Sequence, residues 1–333
     1  MLEGKKILIT GGTGSLGQAL TKKLLDLNVS AIRIFSRNEH EQIKMETKFN
    51  DDRLRFFLGD LRDFSRLSRA IEDVDIVFHA AALKHVPKIE YNPFEAIQTN
   101  VMGSQNLIDA CLNEDVEKAI AISTDKAVSP LNTYGATKAL MEKLFVSASN
   151  YSNPKKHQTK FITIRYGNVL GSSGSVIPKF IEQIRSNQKV TITDPKMTRI
   201  SITMNEALDF ILKATEFGKG SEIFVPKLKA YSIGDVRKVL SKVIKDTGEE
   251  LVGIRPGEKL HEVLINRDEM RYSWEINDMY MITNPMLDNE SIISKYPGIK
   301  KLKDSEEYSS DKVEKITIEK LEELIIKSEL LNS

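Results

Sequence analysis

Residues 6–17 read KILITGGTGSLG, an apolar run that passes directly into a glycine-rich turn. The run predicts a strand at Lys6–Thr10, and the pattern after it predicts a helix at Gly17–Leu27. The same alternation continues, with further strands expected at Ala31–Ser36, Arg55–Leu58, Ile76–Ala80, Lys118–Ser123, Phe161–Arg165 and Glu222–Val225. Helices are expected at Glu39–Phe49, Ser65–Ile71, Pro93–Cys111, Tyr134–Ser149, Val176–Asn187 and Ser232–Thr247. This alternation predicts the α/β class, as a Rossmann-type doubly wound parallel sheet.

The glycines of the turn each have a specific use. Gly11 permits a tight turn, Gly14 lets the backbone approach a diphosphate, and Gly17 lets the helix pack closely on the strand. Free N–H groups at the start of the helix suit phosphate oxygens. A bare structural turn is the alternative, but the strand–turn–helix context favours a dinucleotide site. The residues expected to bind the dinucleotide here are Gly11, Thr13, Gly14, Ser15, Leu16 and Gly17.

Polar positions after the next two strands bear on which dinucleotide binds. Ser36 and Arg37 stand where NAD enzymes usually carry an acidic residue for the ribose 2′-hydroxyl. A hydroxyl and a guanidinium suit a 2′-phosphate instead, so the sequence predicts NADP, with a plain surface arginine as the alternative. Asp60, followed by Leu61, could accept from the adenine amine. The small Ala81 after the fourth strand would leave room for the cofactor.

Tyr134 and Lys138 are four residues apart at the start of a predicted helix, so they share one helical face. An ammonium beside a phenol favours the phenolate, and we therefore expect Lys138 to lower the pKa of Tyr134. A phenolate can take a proton from a sugar hydroxyl while a hydride leaves the same carbon for the nicotinamide. Thr124, at the end of a predicted strand, can hydrogen-bond the same hydroxyl.

Asp125 and Lys126 directly follow Thr124 and suggest further proton transfers. Once C4 of a sugar is a ketone, a base can remove the acidic C5 proton while an acid protonates the departing C6 hydroxyl. We assign Asp125 as the acid and Lys126 as the base. Lys126 must then be neutral part of the time, and we expect the charges of Lys138 and the oxidised nicotinamide to lower its pKa. A salt-bridged surface turn is the alternative.

Composition excludes several other functions. Among 333 residues, 48 Lys and Arg nearly balance 47 Asp and Glu, and the net charge of +1 provides no basic field for nucleic acid. No apolar stretch is long enough to span a bilayer, and no signal peptide fits the start. The single cysteine, Cys111, fits a reducing compartment, so we expect a cytoplasmic protein with neither a membrane partner nor a metal site.

The alternation of strands and helices ends after Tyr166, which suggests two parts. We expect an NADP-binding Rossmann domain at 1–165, with returning segments at about 201–230. A smaller substrate-binding lobe would comprise 166–200 and 231–300. The remaining tail, 301–333, contains an amphipathic helix pattern at Thr317–Leu331, suited to packing on the main body.

Six motifs together resemble one enzyme family, the inverting UDP-N-acetylglucosamine 4,6-dehydratases of the extended short-chain dehydrogenase/reductase type. The motifs are TGGTGS (10–15), HAAALKHVP (79–87), STDKA (123–127), YGATK (134–138), RYGNV (165–169) and RPGEKLHE (255–262). The resemblance runs from about Lys5 to the tail. It implies a place at the start of pseudaminic acid biosynthesis, which feeds flagellin and surface glycosylation, and a homo-oligomer, often a hexamer.

The resemblance also implies a reaction. Tyr134 and NADP would oxidise C4, Lys126 would remove the C5 proton, and Asp125 would assist the loss of water from C6. Hydride would return to C6, and Lys126 would protonate the opposite face of C5. The product would be UDP-2-acetamido-2,6-dideoxy-β-L-arabino-hex-4-ulose. By the same similarity Lys84, Asn168, Arg199, Arg255 and Glu258 would contact the UDP-N-acetylhexosamine substrate, and Lys84, Tyr134, Lys138 and Val169 the cofactor.

Two positions depart from the family pattern. The family usually has arginine where Ser173 stands, and Phe-Trp in place of Ile200-Ser201. These departures keep open an enzyme that performs only part of the reaction, through a 5,6-ene sugar nucleotide. A UDP-sugar 4-epimerase is the nearest rival, because it needs the same Tyr134 and Lys138 but no Asp125-Lys126. A non-catalytic NADP-binding regulator is a further alternative.

Overall fold

The computed structural model describes residues 2–151, 156–171, 175–303, 306–328 and 330–331. The strands are β1 (Lys6–Thr10), β2 (Ala31–Ser36), β3 (Leu54–Leu58), β4 (Ile76–His79), β5 (Lys118–Thr124), β6 (Lys160–Tyr166), β7 (Asn168–Val169), β8 (Val190–Ile192), β9 (Thr198–Ile202), β10 (Glu222–Pro226), β11 (Ala230–Ser232), β12 (Glu249–Leu251), β13 (Val263–Ile265), β14 (Ser273–Ile276), β15 (Met279–Ile282), β16 (Lys300–Lys301) and β17 (Tyr308–Ser309). The helices are α1 (Ser15–Leu25), α2 (Glu39–Phe49), α3 (Phe64–Ile71), α4 (Val86–Tyr91), α5 (Pro93–Ala96), α6 (Gly103–Asn113), α7 (Thr133–Tyr151), α8 (Val176–Arg185), α9 (Met204–Phe217), α10 (Ile233–Val243), α11 (Arg267–Met270), α12 (Asn289–Lys295) and α13 (Ile318–Lys327).

A large mixed sheet forms the centre of the molecule. In the described part of the chain its ten strands are ordered β16-β14-β15-β10-β6-β5-β4-β1-β2-β3. Seven of these strands run parallel to one another, and they are β10, β6, β5, β4, β1, β2 and β3. Strands β15, β14 and β16 continue the sheet beyond β10 with antiparallel pairing. The direction of strand addition reverses between β1 and β4, where an α/β sheet opens a ligand crevice at its carboxyl ends. The predicted fold class is confirmed.

Both faces of the sheet are covered by helices, as a parallel sheet requires. Side chains alternate along β1, so that Ile7 and Ile9 face one side and Leu8 the other, all fully buried. The side of Ile7 packs against α1, α2, α9 and α12. The side of Leu8 packs against α3, α6 and α7.

A smaller apolar core lies apart from the two faces of the sheet. It is formed by α8, β8, α10 and α13. Leu321 and Ile325 of α13 are fully buried in it, so the predicted tail helix packs on the body of the protein. Thr317 caps this helix by accepting from the backbone N–H of Lys320 at 3.3 Å. The exact partition of the chain into domains stays a prediction.

The segment predicted as one helix, Pro93–Cys111, is interrupted. A π-helical stretch, Ile97–Met102, separates α5 from α6. Within it the side chain of Asn100 pairs with both backbone groups of Leu83, accepting from N–H at 2.8 Å and donating to C=O at 2.9 Å. The wider turn therefore places a polar side chain against the loop after β4, and periodicity alone does not predict such a bulge.

Some elements were not predicted. Helix α9 is absent from the predictions, although Thr203 and Glu206 form a capping box at its start. The antiparallel pair β14–β15 and the short helix α4 were also missed. Helix α10 ends at Val243 rather than at residue 247.

The two departures from the family pattern have different settings. Ser173 lies outside the described residues. Ile200 is fully buried in an apolar cluster with Val225 and Leu264, so the first half of the other departure concerns packing. Ser201 lies opposite Asn168 where β7 pairs with β9. In the described ranges, no helix has both the length and the apolar character needed to cross a membrane.

Candidate active site

The predicted polar residues gather at one edge of the sheet because they follow the carboxyl ends of parallel strands. Gly11 follows β1, Arg37 follows β2, and Asp60 comes two residues after β3. Ala81 comes two residues after β4, and Asp125 begins a single 3₁₀ turn after β5. The edge therefore carries a nucleotide half, on β1 to β3, and a reactive half, on β5 and its neighbours.

The glycine turn is tightly built on its inner side. Gly11 has a φ of +67°, and a Cβ there would lie 2.7 Å from the Cα of Ala81. A Cβ on Gly17 would lie 2.5 Å from the backbone of Gly12, so this glycine allows α1 to approach β1. Both observations agree with the uses assigned from the sequence.

The outer side of the same turn is open. Gly14 is the N-cap of α1 and provides no side-chain cap, so the first N–H groups of the helix keep their capacity to bind. Gly14 and Ser15 are exposed, and Leu16 is half-buried against the core. The carbonyl of Thr13 accepts from Gln18 at 2.9 Å, which steadies the turn. An exposed helix start of this kind suits a diphosphate.

The polar residues after β2 and β3, expected to bind the ribose end of the dinucleotide, already interact with other protein side chains. The Ser36 hydroxyl accepts from Gln42 Nε2 at 3.0 Å. Arg37 is half-exposed, with its guanidinium 3.6 Å from Asp60 Oδ2. Asp60 is also held by Arg62, which donates from its backbone and its side chain at 2.7–3.1 Å. Burial raises the pKa of Asp60, but the Arg62 hydrogen bonds lower it more, so this carboxylate is an anion facing Arg37.

The loop after β4 is held by side chains that hydrogen-bond to its backbone. The N–H of Ala81 donates to the Thr10 hydroxyl at 3.3 Å. Leu61 is buried, and its carbonyl accepts from Asn106 at 2.9 Å. Lys84, four residues after Ala80, is exposed. Ala81 and Leu61 are thus ordered parts of the edge, whereas Lys84 lies at its surface.

Tyr134, at the start of α7, lies beside the end of β5. Its phenol interacts with Thr124, whose hydroxyl donates to Asp125 Oδ1 at 2.7 Å. Asp125 is fully buried, and its Oδ2 has no partner among the described residues. Burial raises the pKa of Tyr134 to about 12, Lys126 and Thr124 lower it, and Asp125 raises it.

Lys138 does not act on Tyr134 as predicted. Its ammonium donates to the carbonyl of Ile122 at 2.5 Å and contacts the sulfur of Met141 at 3.0 Å. The cation that lowers the pKa of Tyr134 is Lys126. Burial lowers the pKa of Lys138 itself to about 8, against the opposite effect of Glu142. The expected net lowering of the Tyr134 pKa is therefore wrong, because the spacing of two residues does not define their rotamers.

Lys126 lies at the centre of the reactive half. Its Nζ donates to Asp125 Oδ1 at 3.2 Å and to Asn168 Oδ1 at 3.3 Å, and its side chain is 30% exposed. Burial lowers the pKa of Lys126, but the carboxylates of Asp125 and Glu262 raise it more, and the net pKa lies above the ordinary value. The predicted lowering is wrong, since the charges of Asp125 and Glu262 outweigh burial and the charge of Arg199.

Glu262 is the residue that sequence reasoning missed. It is 3% exposed, and its Oε1 lies 3.9 Å from Lys126 Nζ and 3.6 Å from Arg199 Nε. Its position at the end of the RPGEKLHE motif was the available signal, but the motif alone does not reveal which members face the site. Arg199, which was predicted, is buried and donates to the carbonyls of Thr198 and Leu260 at 2.7 and 3.3 Å.

The remaining predicted residues lie at the rim or in the supporting strands. Arg255 and Glu258 are paired at 3.7 Å, and the Arg255 side chain is about half exposed. Val169 pairs with Ile202 and packs against the core beside Asn168. The structure therefore brings Asn168 and Arg199 to Lys126, and leaves Lys84, Arg255 and Glu258 closer to solvent.

A glycine turn after β1 and a Thr–Tyr–Lys set on β5 and α7, carried by this sheet, define an enzyme of the extended short-chain dehydrogenase/reductase type. The polysaccharide biosynthesis protein family is matched by residues 7–284, and the chain belongs to this family.

Individual relatives are similar over nearly the whole chain. An inverting UDP-N-acetylglucosamine 4,6-dehydratase of Campylobacter jejuni is 46% identical over 318 residues, which cover 93% of this chain and 94% of that protein. A UDP-glucose 4-epimerase of Rickettsia massiliae is 40% identical, with 98% and 96% covered. The crystal structure of Pen from Bacillus thuringiensis has a TM-score of 0.90 and 38% identity, covering 99% of both chains. The resemblance to inverting 4,6-dehydratases is confirmed.

Proposed function

We propose that this chain is a UDP-N-acetylglucosamine 4,6-dehydratase that uses NADP and inverts C5. The observation that carries the proposal is the Asp125–Lys126 pair, which lies beside Tyr134 at the end of β5 with 3.2 Å between ammonium and carboxylate. Oxidation at C4 alone needs Tyr134 and Thr124, whereas removal of a C5 proton and a C6 hydroxyl needs a further base and acid. The likeness to the Campylobacter jejuni dehydratase supports the same reaction.

The nucleotide half fits NADP. A Cβ on Gly14 would meet only the Gly11 carbonyl oxygen, at 3.3 Å, so the turn leaves space for a diphosphate at the start of α1. The half-exposed guanidinium of Arg37 offers donors to a 2′-phosphate, and Asp60 holds it at the end of β2. When bound, the dinucleotide would supply the hydride-transfer chemistry for oxidation at C4 and reduction at C6. Lys138 and Val169 are proposed to contact it on the nicotinamide side.

The neighbouring Tyr134, Thr124 and Asp125 suit a relay that prepares two groups in one transfer. In this relay the Tyr134 proton passes to the Thr124 oxygen while the Thr124 proton passes to Asp125 Oδ1, which already accepts from the Thr124 hydroxyl. The result is a phenolate that can take the proton of the C4 hydroxyl and a protonated Asp125 that can release a proton to the C6 oxygen. The described contacts thus support Tyr134 as the base at C4 and Asp125 as the acid at C6.

The predicted substrate contacts follow from their positions. Arg255, half-exposed at the rim, suits the diphosphate of the UDP group, and Glu258 orients it. Asn168 and Arg199 lie near Lys126, where the hexose ring would react. Lys84 would close the site from its exposed position. Homo-oligomer assembly and a role in pseudaminic acid synthesis stay predictions from the resemblance, and cytoplasmic location stays a prediction from the sequence.

A UDP-sugar 4-epimerase is the second candidate, favoured by the 40% identity to the Rickettsia protein. Such an enzyme would use Tyr134 and Thr124 but would leave the buried Asp125 and the partly buried Lys126 without a task. A buried carboxylate with unmet hydrogen-bonding capacity is costly, which favours the dehydratase.

Proton NMR of UDP-N-acetylglucosamine with the purified holoenzyme in D₂O tests the proposal. A new methyl signal with deuterium at C5 of an inverted sugar is the expected result. A C4 epimer of unchanged mass would contradict the dehydratase and support the epimerase. Olefinic signals without a methyl group would show that the reaction stops at the 5,6-ene. Turnover without added cofactor would show that NADP remains bound between cycles.

A further inference from the structure

Lys126 must release a proton before it can act at C5, so the site requires a group that receives it. In the described chain the ammonium of Lys126 is stabilised by carboxylates, with Asp125 at 3.2 Å and Glu262 at 3.9 Å. Amines take protons only in the neutral form. The acceptor for this proton is not provided by the predicted set of residues.

Asp125 is already committed to another proton transfer. Its Oδ1 accepts hydrogen bonds from Thr124, at 2.7 Å, and from Lys126, at 3.2 Å. In the proposed reaction Asp125 also receives the proton that leaves Tyr134. A second carboxylate is therefore needed.

Glu262 meets this requirement by its position. Its side chain makes ion pairs at 3.9 Å with Lys126 and 3.6 Å with Arg199, and Oε2 has no hydrogen-bond partner among the described residues. Its main chain is held on both sides by Ser310, whose hydroxyl accepts from the Glu262 N–H and whose N–H donates to the Glu262 carbonyl, each at 2.8 Å. A buried carboxylate on a fixed backbone, with a free oxygen, can take up a proton.

We propose that Glu262 is a positioning residue of the reaction, whose carboxylate receives the proton that Lys126 must lose before Lys126 attacks C5–H. An N–H bond of Lys126 breaks, an O–H bond forms on Glu262, and the freed nitrogen lone pair then takes the C5 proton. The distance of 3.9 Å is bridged by a water molecule or a small movement of the lysine side chain. This inference rests on the proposed function.

The charges around Glu262 are consistent with this role. Burial and the charge of Asp125 raise the pKa of Glu262, while Lys126, Arg199 and Lys259 lower it. The net pKa lies above the ordinary value, so the carboxyl has an increased affinity for a proton.

Two further phenols face this cluster. Tyr134 interacts with the charge of Lys126, and Tyr231 with the charges of Arg199, Lys126 and Asp125. Burial raises the pKa of each to about 12, so both are neutral near pH 7 and leave the carboxylates as the proton acceptors.

The test is the pH profile of dehydration by the holoenzyme and by Glu262→Gln, at saturating UDP-N-acetylglucosamine. In the unmodified enzyme the proton moves inside the site, so the reactive form does not change with pH and the profile is flat from neutral to mildly alkaline pH. In Glu262→Gln the proton must leave to solvent. Its rate should fall about 10²-fold at neutral pH and recover as pH rises through the pKa of Lys126.

Two variants serve as controls. Glu262→Asp retains a carboxylate and should restore the flat profile at a lower rate. Glu222→Gln removes another buried carboxylate, paired with Lys295 at 2.8 Å at the amino end of β10, and should keep both rate and profile. Retained NADP and a cooperative thermal transition show that each variant is folded.

Several results would overturn the proposal. A flat profile in Glu262→Gln would mean that Asp125 takes the proton, and an equal loss at every pH would mean that Glu262 is only structural. A rate that rises with pH in the unmodified enzyme would exclude internal transfer, and this measurement needs no variant to fold. If the unmodified enzyme performs no dehydration, the proposed function fails, which is a distinguishable outcome.

Discussion

Two buried charge clusters flank helix α7, and they differ in how completely their hydrogen bonds are made. In the first, Arg165 is 1% exposed and donates to Glu142 at 2.9 and 2.6 Å and to Glu269 at 3.0 and 2.8 Å. In the second, Lys126 lies 3.2 Å from one carboxylate and 3.9 Å from another. Each of these two carboxylates keeps one buried oxygen without a partner among the described residues.

This difference separates a structural network from a reactive one. Buried polar groups are normally satisfied, and a fully satisfied network makes the fold rigid. The Arg165 cluster ties β6 and α7 to α11 by bidentate pairs, and little capacity is left for a ligand. The Lys126 cluster retains donors and acceptors that a substrate can use. The same residue types therefore stabilise the protein in one place and provide proton transfer in the other.

The largest expected effect is the loss of the central cation of the reactive cluster. Lys126→Ala should lower the rate of dehydration about 10²–10⁴-fold, because the base at C5 is removed. NADP should stay bound, since Lys126 is not at the glycine turn. NMR of the product and the absorbance of retained cofactor measure the two effects. Lys44→Ala, an exposed change on α2, is the control, and normal turnover by Lys126→Ala would exclude the lysine from the mechanism.

The complementary change breaks the structural cluster. Glu142→Gln removes one partner of the buried Arg165 and should lower the free energy of unfolding by about 3–5 kcal/mol. The rate per folded molecule should stay within a few-fold. Urea unfolding followed by tryptophan fluorescence measures the stability. Glu323→Gln, on α13, removes a carboxylate whose ion pairs with Lys320 and Lys327 are at the surface, and it should change stability far less. Equal losses in both variants would contradict the distinction.

A third charged position extends the comparison to the nucleotide half. The Arg37 guanidinium is 3.6 Å from Asp60, and its side chain is half-exposed. It therefore keeps donors that a ligand can reach. Arg37→Ala should weaken NADP binding about 10–100-fold, because it removes hydrogen bonds to the charged 2′-phosphate. NAD has no 2′-phosphate, so its binding should be nearly unchanged. Calorimetric titration of cofactor-stripped protein measures both affinities. Arg69→Ala is the exposed control, and equal losses for NADP and NAD would refute the assignment.

The smallest effect concerns His79, a buried imidazole that is neutral and has both ring nitrogens hydrogen-bonded. His79 lies between Thr10 and Ser104, at 2.8 and 3.0 Å, and burial, with the charge of Lys138, lowers its pKa to about 3. In the unfolded chain the pKa is near 6.5, so the unfolded state binds more protons between these values.

Stability should therefore fall as pH is lowered from 6.5, by up to about 1.4 kcal/mol per pH unit. Chemical denaturation between pH 7 and pH 5 measures the slope, in a window above most carboxylate titrations. His79→Asn should flatten it while lowering stability overall. An unchanged slope in the variant would show that other groups cause the acid sensitivity.

Features that are determined by residues adjacent in the sequence could be predicted from it. Strand β1, the glycine turn and the adjacent Thr124, Asp125 and Lys126 follow from local patterns. Glu262 could not be predicted in its role, because its distance to Lys126 depends on the packing of β13 and β17. The predicted lowering of the Tyr134 pKa was wrong for a similar reason. The ammonium of Lys138, four residues further along the helix, donates to the carbonyl of Ile122 and not to the phenol.

The hydrogen bonds of Ser310 to both backbone groups of Glu262 have a consequence for folding during protein synthesis. A chain leaving the ribosome can complete β1 to β6 and the glycine turn long before residue 310 emerges. Glu262 acquires its fixed backbone only after that residue has been added. Competence to bind a dinucleotide should therefore arise early in translation, and the complete set of acid and base groups only after residue 310 has been added.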